Sequence, residues 1–256
     1  MWHKTKTIAL LTALEALRGR LLLLLALTAL TGFLIAAIAG AAAVTESTAI
    51  RAAFLAAFLR TAAVFITSLF VVSSVAREQA DKGSELMLSL ALPRYVYYFG
   101  KAAGYALIAL VTALLFGTLL ALHAAPLQAL WWTLSLYCEL LLVMAASLLC
   151  TFTFAQVTSA LSAVAAFYLL ARIIGAIQLI GHGPLIDPDD WAMKLIVNAV
   201  DGIAYLLPDL YRFTLTDWLL HDTGTAASLA PILLQTVLYV ALLAGAGLFD
   251  LYRKNF

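Results

Sequence analysis

Residues 21–44 read LLLLLALTALTGFLIAAIAGAAAV, twenty-four positions without one charged side chain. A helix needs about 20 apolar residues to cross the hydrocarbon core of a bilayer, so this stretch is long enough to span. Lys4, Lys6, Arg18 and Arg20 precede it and small residues gather near Ala37–Ala39, a pattern that a secretory signal shares. The apolar core of a cleavable signal runs only about 7–15 residues, and this longer run is expected to stay as a membrane anchor. The rest of the chain agrees. Of 256 residues, 64% are hydrophobic and 11% charged, with a mean hydropathy of +1.02, against about 45–50% and about 25% in soluble domains. That composition excludes an ordinary soluble domain and a disordered chain. A formal charge of +1 gives no basic excess, so no nucleic-acid partner is expected.

Five further stretches are long and apolar enough to span: roughly 52–76, 102–124, 129–154, 159–181 and 231–251. The expected fold class is an all-α integral membrane protein, one transmembrane domain over 1–256 with six transmembrane helices in the lipid bilayer. Short connections at His123–Gln128 and Gln156–Thr158 imply tight helical hairpins. Lys and Arg concentrate in cytoplasmic loops. With a cytoplasmic N-terminus the inner segments hold Lys4, Lys6, Arg18, Arg20, Arg77, Lys82, Arg94, Lys101, Arg253 and Lys254, and the outer ones only Arg51, Lys194 and Arg212. Both termini are therefore expected in the cytoplasm. The outer side gathers Glu46, Asp187, Asp189, Asp190, Asp201, Asp209, Asp217 and Asp222.

Three segments lie outside the spans. In 1–20, Leu10, Leu14 and Leu17 recur at helical spacing between Lys6 and Arg18, which predicts an interfacial helix on the inner surface. The segment 77–101, between spans one to two (21–76) and spans three to five (102–181), is polar but turns apolar at Leu86–Leu92 before Pro93. The outer link 182–230 is mostly apolar over Trp191–Leu207, interrupted by Asp201, Gly202 and Pro208, and aromatic over Leu210–Leu220. Two short re-entrant outer helices fit it best, before span six and the C-terminus (231–256).

The chain carries little of the chemistry of an enzyme. A P-loop needs Gly, four residues, then Gly-Lys-Ser/Thr; Gly100-Lys101 has Tyr95 before it and Ala102 after it. An intramembrane serine protease wants a Gly-flanked Ser and a His at matching depth, but His3, His123, His182 and His221 all fall at span ends or outside. His123, His182 and His221 share the outer side without a compact ligand spacing, so no metal site is assigned and no catalytic residue is expected. Cys138 and Cys150 lie twelve residues apart on one span, roughly 18 Å along a helix and beyond disulfide reach. The two halves share no visible repeat, which makes a secondary transporter the second choice.

Three charges fall inside spans: Arg60 in the second, Glu139 in the fourth and Arg172 in the fifth. With the spans as drawn, each lies roughly 13–15 Å from the outer end. Ionisable residues at that depth are costly and mark function or pairing. Glu139 could pair with Arg60 or Arg172 and fix helix packing, an unpaired Arg could line a cavity for an anionic or polar substrate, or an Arg could snorkel to the interface.

The segment from Arg77 to Lys101, REQADKGSELMLSLALPRYVYYFGK, resembles the cytoplasmic segment of ABC-2 type permeases, the membrane subunits of ATP-binding-cassette exporters. Glu78, Gly83-Ser84, Leu86–Leu90, Pro93-Arg94 and Gly100-Lys101 match that family's acidic residue, Gly-Ser/Thr step, leucine-rich short helix, Pro with a basic residue, and Gly-Lys. Arg94 directly follows Pro93, where family members often place the basic residue later. The order of segments along nearly the whole chain, with a Leu-Pro-Asp-Leu step at Leu207–Leu210, is similar as well. Within the family the chain looks most like permeases of copper-enzyme or cytochrome maturation.

The resemblance implies a homodimer in the bacterial inner membrane with an ABC ATPase subunit on each copy, and leaves room for a periplasmic accessory protein. The permease itself then needs no cofactor, since ATP and Mg are bound by the partner ATPase. Residues 77–101 would form a coupling helix in a groove of that ATPase. Its docking residues are expected to be Glu78, Asp81, Gly83, Ser84, Glu85, Leu86, Leu88, Leu90, Pro93 and Arg94. Glu78 and Glu85 are two helical turns apart and would share one face. An exposed apolar run such as Leu86, Leu88 and Leu90 also calls for a partner. The alternative is a stand-alone secondary transporter or channel that needs no ATPase. The substrate and the direction of transport are not written in the residues.

Overall fold

Proline, glycine and capping residues, more than hydropathy, set where the helices of this chain begin and end. The computed structural model describes residues 2–42, 47–81, 93–183 and 191–253. Among the described residues there are nine α-helices and no strand: α1 (Trp2–Arg18), α2 (Leu21–Ala42), α3 (Ser47–Ala80), α4 (Arg94–Leu120), α5 (Pro126–Thr153), α6 (Val157–Gly181), α7 (Trp191–Leu206), α8 (Asp217–His221) and α9 (Ala226–Arg253). A 3-10 turn, Leu210–Arg212, precedes α8. Six of these, α2 to α6 and α9, are long and apolar enough to cross a membrane. The expectation of six spans in an all-α protein is met.

The boundaries differ from those read from hydropathy, and each difference has a local cause. No Gly or Pro occurs from Ser47 to Ala80, so α3 runs for 34 residues. At about 1.5 Å per residue that is roughly 51 Å, well beyond a core of about 30 Å, and 52–76 is only its apolar middle. α4 starts at Arg94, not near residue 102, because Pro93 at the N-cap (φ −60°, ψ 136°) suits a position whose amide is not needed by the helix. α4 ends at Leu120, where the amides of Leu122, His123 and Ala124 close a turn onto Leu119 and Leu120. α5 begins at Pro126 in its first turn, a favoured place for proline. α9 begins at Ala226, before Pro231, because Thr225 and Ser228 cap it reciprocally: the Ser228 amide donates to Thr225 Oγ1 at 3.3 Å and the Thr225 amide to Ser228 Oγ at 3.0 Å, as in a capping box.

Helix α5 is the centre of the bundle, packed by α3, α4, α6 and α9. Its Trp132, Leu136 and Leu140 are fully buried with Phe116 and Leu120 of α4 and Leu55 and Leu59 of α3. The outermost helices bury least and turn apolar side chains outward, Leu30 and Ile38 on α2 and Leu234 and Val237 on α9, which suits contact with lipid.

The N-terminal helix has a definite seat. α1 lies on α4, where a Cβ at Gly104 would come within 2.6 Å of Thr12 Cβ and 2.9 Å of the Ala9 carbonyl, and one at Gly100 within 2.8 Å of Ile8 Cβ. The Gly100–Gly104 pair thus lets α1 approach the start of α4. Ile8, Ala9, Thr12 and Ala16 are buried, while Leu10 and Leu14 stay exposed on another face.

The link 182–230 is more broken than expected. Pro208 stops α7, and the second piece is split into the 3-10 turn and the short α8, with Thr214 between them at φ 48°. α7 is tied to α6 through Asp201, which accepts a hydrogen bond from Gln178 Nε2 at 2.9 Å and lies 3.3 Å from His182 Nε2. Among the described residues no three His, Cys, Asp or Glu side chains gather as a metal site.

Candidate functional site

Two polar clusters mark the bundle, one within the spans and one at an end. The deeper one contains the three intramembrane charges. Glu139 on α5 is fully buried, and its carboxylate is well provided for. Tyr168 Oη donates to Oε1 at 2.7 Å and Thr214 Oγ1 to Oε2 at 2.8 Å. Arg172 Nη1 lies 3.7 Å from Oε1, so Glu139 pairs with Arg172 and not with Arg60. Arg172 Nη1 also donates to the carbonyls of Leu210 and Phe213, and Arg60 Nη1 reaches the Thr214 carbonyl at 3.5 Å. The Arg60 Nε is buried with no hydrogen-bond partner.

Thr214 is the hub. Its amide donates to Ser135 Oγ at 2.8 Å, its hydroxyl to Glu139, and its carbonyl accepts from Arg60. A β-branched residue in the left-handed region is a conformational outlier, and such strain persists only where the surroundings over-determine it. Here bonds to α3 and α5 do so. The cluster pins the stretch from Leu210 to Thr214 to α3, α5 and α6.

The depths change with the helix starts. Arg60 lies thirteen residues in from Ser47, Glu139 thirteen from Pro126, and Arg172 nine from Gly181. The first two are therefore roughly 20 Å along their helices, deeper than the apolar runs suggest, yet the three charges still converge. Ser135 and Tyr168 were missed in the sequence, although each stands four residues before a buried charge and so on the same helix face. Thr214 had no local signal.

The second cluster stands at the end of the bundle that carries both termini. Lys101 Nζ of α4 meets Glu78 Oε2 of α3 at 2.5 Å, and both side chains are mostly buried. One turn deeper, Tyr105 Oη donates to Ser74 Oγ at 3.1 Å. Pairs at i and i+4 on two neighbouring helices thus form a ladder across α3 and α4. Arg94 Nη1 donates to the carbonyls of Leu251 and Tyr252, each at 2.8 Å, and its guanidinium lies 5.8 Å from the Tyr252 ring. A cation on the last carbonyls of α9 satisfies groups with no partner inside that helix.

Of the residues expected to dock an ATPase, Gly83, Ser84, Glu85, Leu86, Leu88 and Leu90 lie outside the described residues. Arg77–Ala80 and Arg94–Lys101 prove to be helical ends of α3 and α4. Glu78 turns toward Lys101, whose ammonium would otherwise be buried alone. Arg94 is engaged within its own chain, Pro93 starts α4, and Asp81 is exposed beyond the last turn of α3.

The description ABC-2 family transporter protein matches residues 42–249. The chain belongs to the ABC-2 transporter family. No curated protein matches it. The matched stretch takes in the segment after α3, the Glu139 cluster, the Glu78–Lys101 pair with Arg94, and the link 182–230. An ABC-2 protein is a membrane-embedded permease subunit of an ABC transporter and not itself the catalyst.

Proposed function

We propose that this ABC-2 permease works as a homodimeric exporter in the bacterial inner membrane, with both termini in the cytoplasm. A separate ATPase subunit binds ATP and Mg and docks on the segment between α3 and α4. One observation carries this reading: the segment is clamped at its base by Glu78–Lys101 and joined to the last span through Arg94. A push on it moves α3 and α4 together. The push also reaches α9 through the Leu251 and Tyr252 carbonyls, and α1 through the Gly100–Gly104 seat. Deeper in the spans the Glu139 cluster links α3, α5 and α6 to the outer link, so displacement of α3 is felt there. The substrate path then opens between the two copies, and a periplasmic accessory protein would receive the cargo from the outer link.

Copurification tests this. From native membranes the tagged chain should bring down an ATPase with a P-loop. Glu85→Lys should lower the amount recovered while the level of inserted permease is unchanged. Transport that persists with ATP depleted would instead support a stand-alone transporter or channel.

A further inference from the structure

A crevice opens at the corner where α1 turns into α2. One part, about 500 Å³, lies between that corner and α3, with Arg20, Leu24, Ile66, Phe70 and Arg77 on its walls. An adjoining part of about 310 Å³ is closed on its far side by the Glu78–Lys101 pair. Glu15, Ser74 and Arg77 line both parts, so they are one continuous space. Its size falls in the range of small-ligand sites.

Charge and polarity divide this space in two. Lys101 and Glu78 neutralise each other. Among the described residues Arg20, Arg77 and Glu15 have no ion-pair partner, and all three are exposed. Glu15 and Arg77 stand where the two parts meet, and Arg20 lines the part beside α2. Leu24, Ile66, Leu69 and Phe70 form the wall that runs toward the middle of the spans. Two guanidinium groups suit a phosphate, which they can grip in a planar, bidentate manner. A carboxylate beside them disfavours a second negative charge and suits an ammonium. The apolar wall suits a hydrocarbon chain, and the crevice opens beside the polar ends of α3 and α4, where lipid headgroups gather.

We propose that this crevice binds one zwitterionic phospholipid, phosphatidylethanolamine, from the leaflet on the side of the termini. Its phosphate lies between Arg20 and Arg77, its ammonium faces Glu15, and one acyl chain follows Leu24, Ile66, Leu69 and Phe70. Asp81, in the adjoining part, adds a second anion on the side away from the apolar wall and reinforces the preference for a head that carries a cation.

The full-length chain, purified in mild detergent and exchanged against mixed micelles of phosphatidylethanolamine and phosphatidylglycerol, is the material for the test. Native mass spectrometry counts the lipid retained. The wild type should keep one phosphatidylethanolamine per chain in about tenfold preference to phosphatidylglycerol, which lacks the ammonium. Arg20→Gln with Arg77→Gln should lower that retention about tenfold, and Glu15→Gln should erase the preference while lipid stays bound. An unchanged unfolding midpoint for these surface variants separates loss of the site from loss of the fold. Equal retention of the two lipids by the wild type, or unchanged retention in the double variant, would overturn the proposal. Displacement by soluble phosphoethanolamine would also overturn it, because the site would then read a free phosphate compound and not a lipid.

Discussion

Glu139→Ala is expected to destabilise the folded bundle by about 3–5 kcal/mol, the usual cost of removing one partner of a buried charge pair. The carboxylate is fully buried, and it accepts from Tyr168 and Thr214 and faces Arg172. Without it, the Arg172 and Arg60 cations lose the one acid that the described residues bring to the cluster, and two hydroxyl donors lose their acceptor. Much of the loss comes from groups left unpaired, each worth about 1–3 kcal/mol, so Glu139→Gln, which keeps an acceptor, should be milder. The chain around Thr214 should loosen first, since Thr214 holds its left-handed backbone through these bonds. The measurement is a double-mutant cycle on unfolding midpoints with Glu139→Ala and Arg172→Met. A double variant less damaged than the sum of the two singles is the expected result; strict additivity would mean that the two side chains do not act as a pair.

The second large effect concerns the clamp. Lys101→Met alone leaves the Glu78 carboxylate without its cation, and Glu78→Leu alone leaves a buried ammonium, each at a cost of about 3–5 kcal/mol. Exchanging the two, Glu78→Lys with Lys101→Glu, should regain most of the loss, because an ion pair across α3 and α4 is restored. The exchange also separates two roles for Glu78. If it acts through the clamp, the exchanged permease keeps its ATPase and its coupling. If its carboxylate sits in a groove of the ATPase, the exchange reverses that contact and the ATPase is lost from the complex. Retention of the ATPase is the expected outcome.

Much of this was readable in the sequence because the bilayer imposes a simple rule: long uncharged runs must cross it. The six spans and the presence of Arg60, Glu139 and Arg172 inside them follow from where charges are missing and where they intrude. Helix ends did not follow, because hydropathy marks where a helix is apolar and not where it stops. The 34-residue α3 and the start of α4 at Pro93 are the plain examples. The choice between Arg60 and Arg172 as partner of Glu139 was out of reach too. It depends on how Thr214, on a link far along the chain, inserts its amide, hydroxyl and carbonyl among three helices. Arg94 capping α9 is a contact of the same long-range kind, between residues 157 and 158 apart.

The central claim is that a separate ATPase drives this permease through the segment between α3 and α4. Site-specific photocrosslinking in intact cells tests it most directly, with the reactive side chain placed at position 88 in that segment or at position 196 on α7. The account predicts an adduct with a P-loop ATPase from position 88 and none from position 196. An ATPase adduct from position 196, or none from position 88 while the permease is inserted and active, would contradict it.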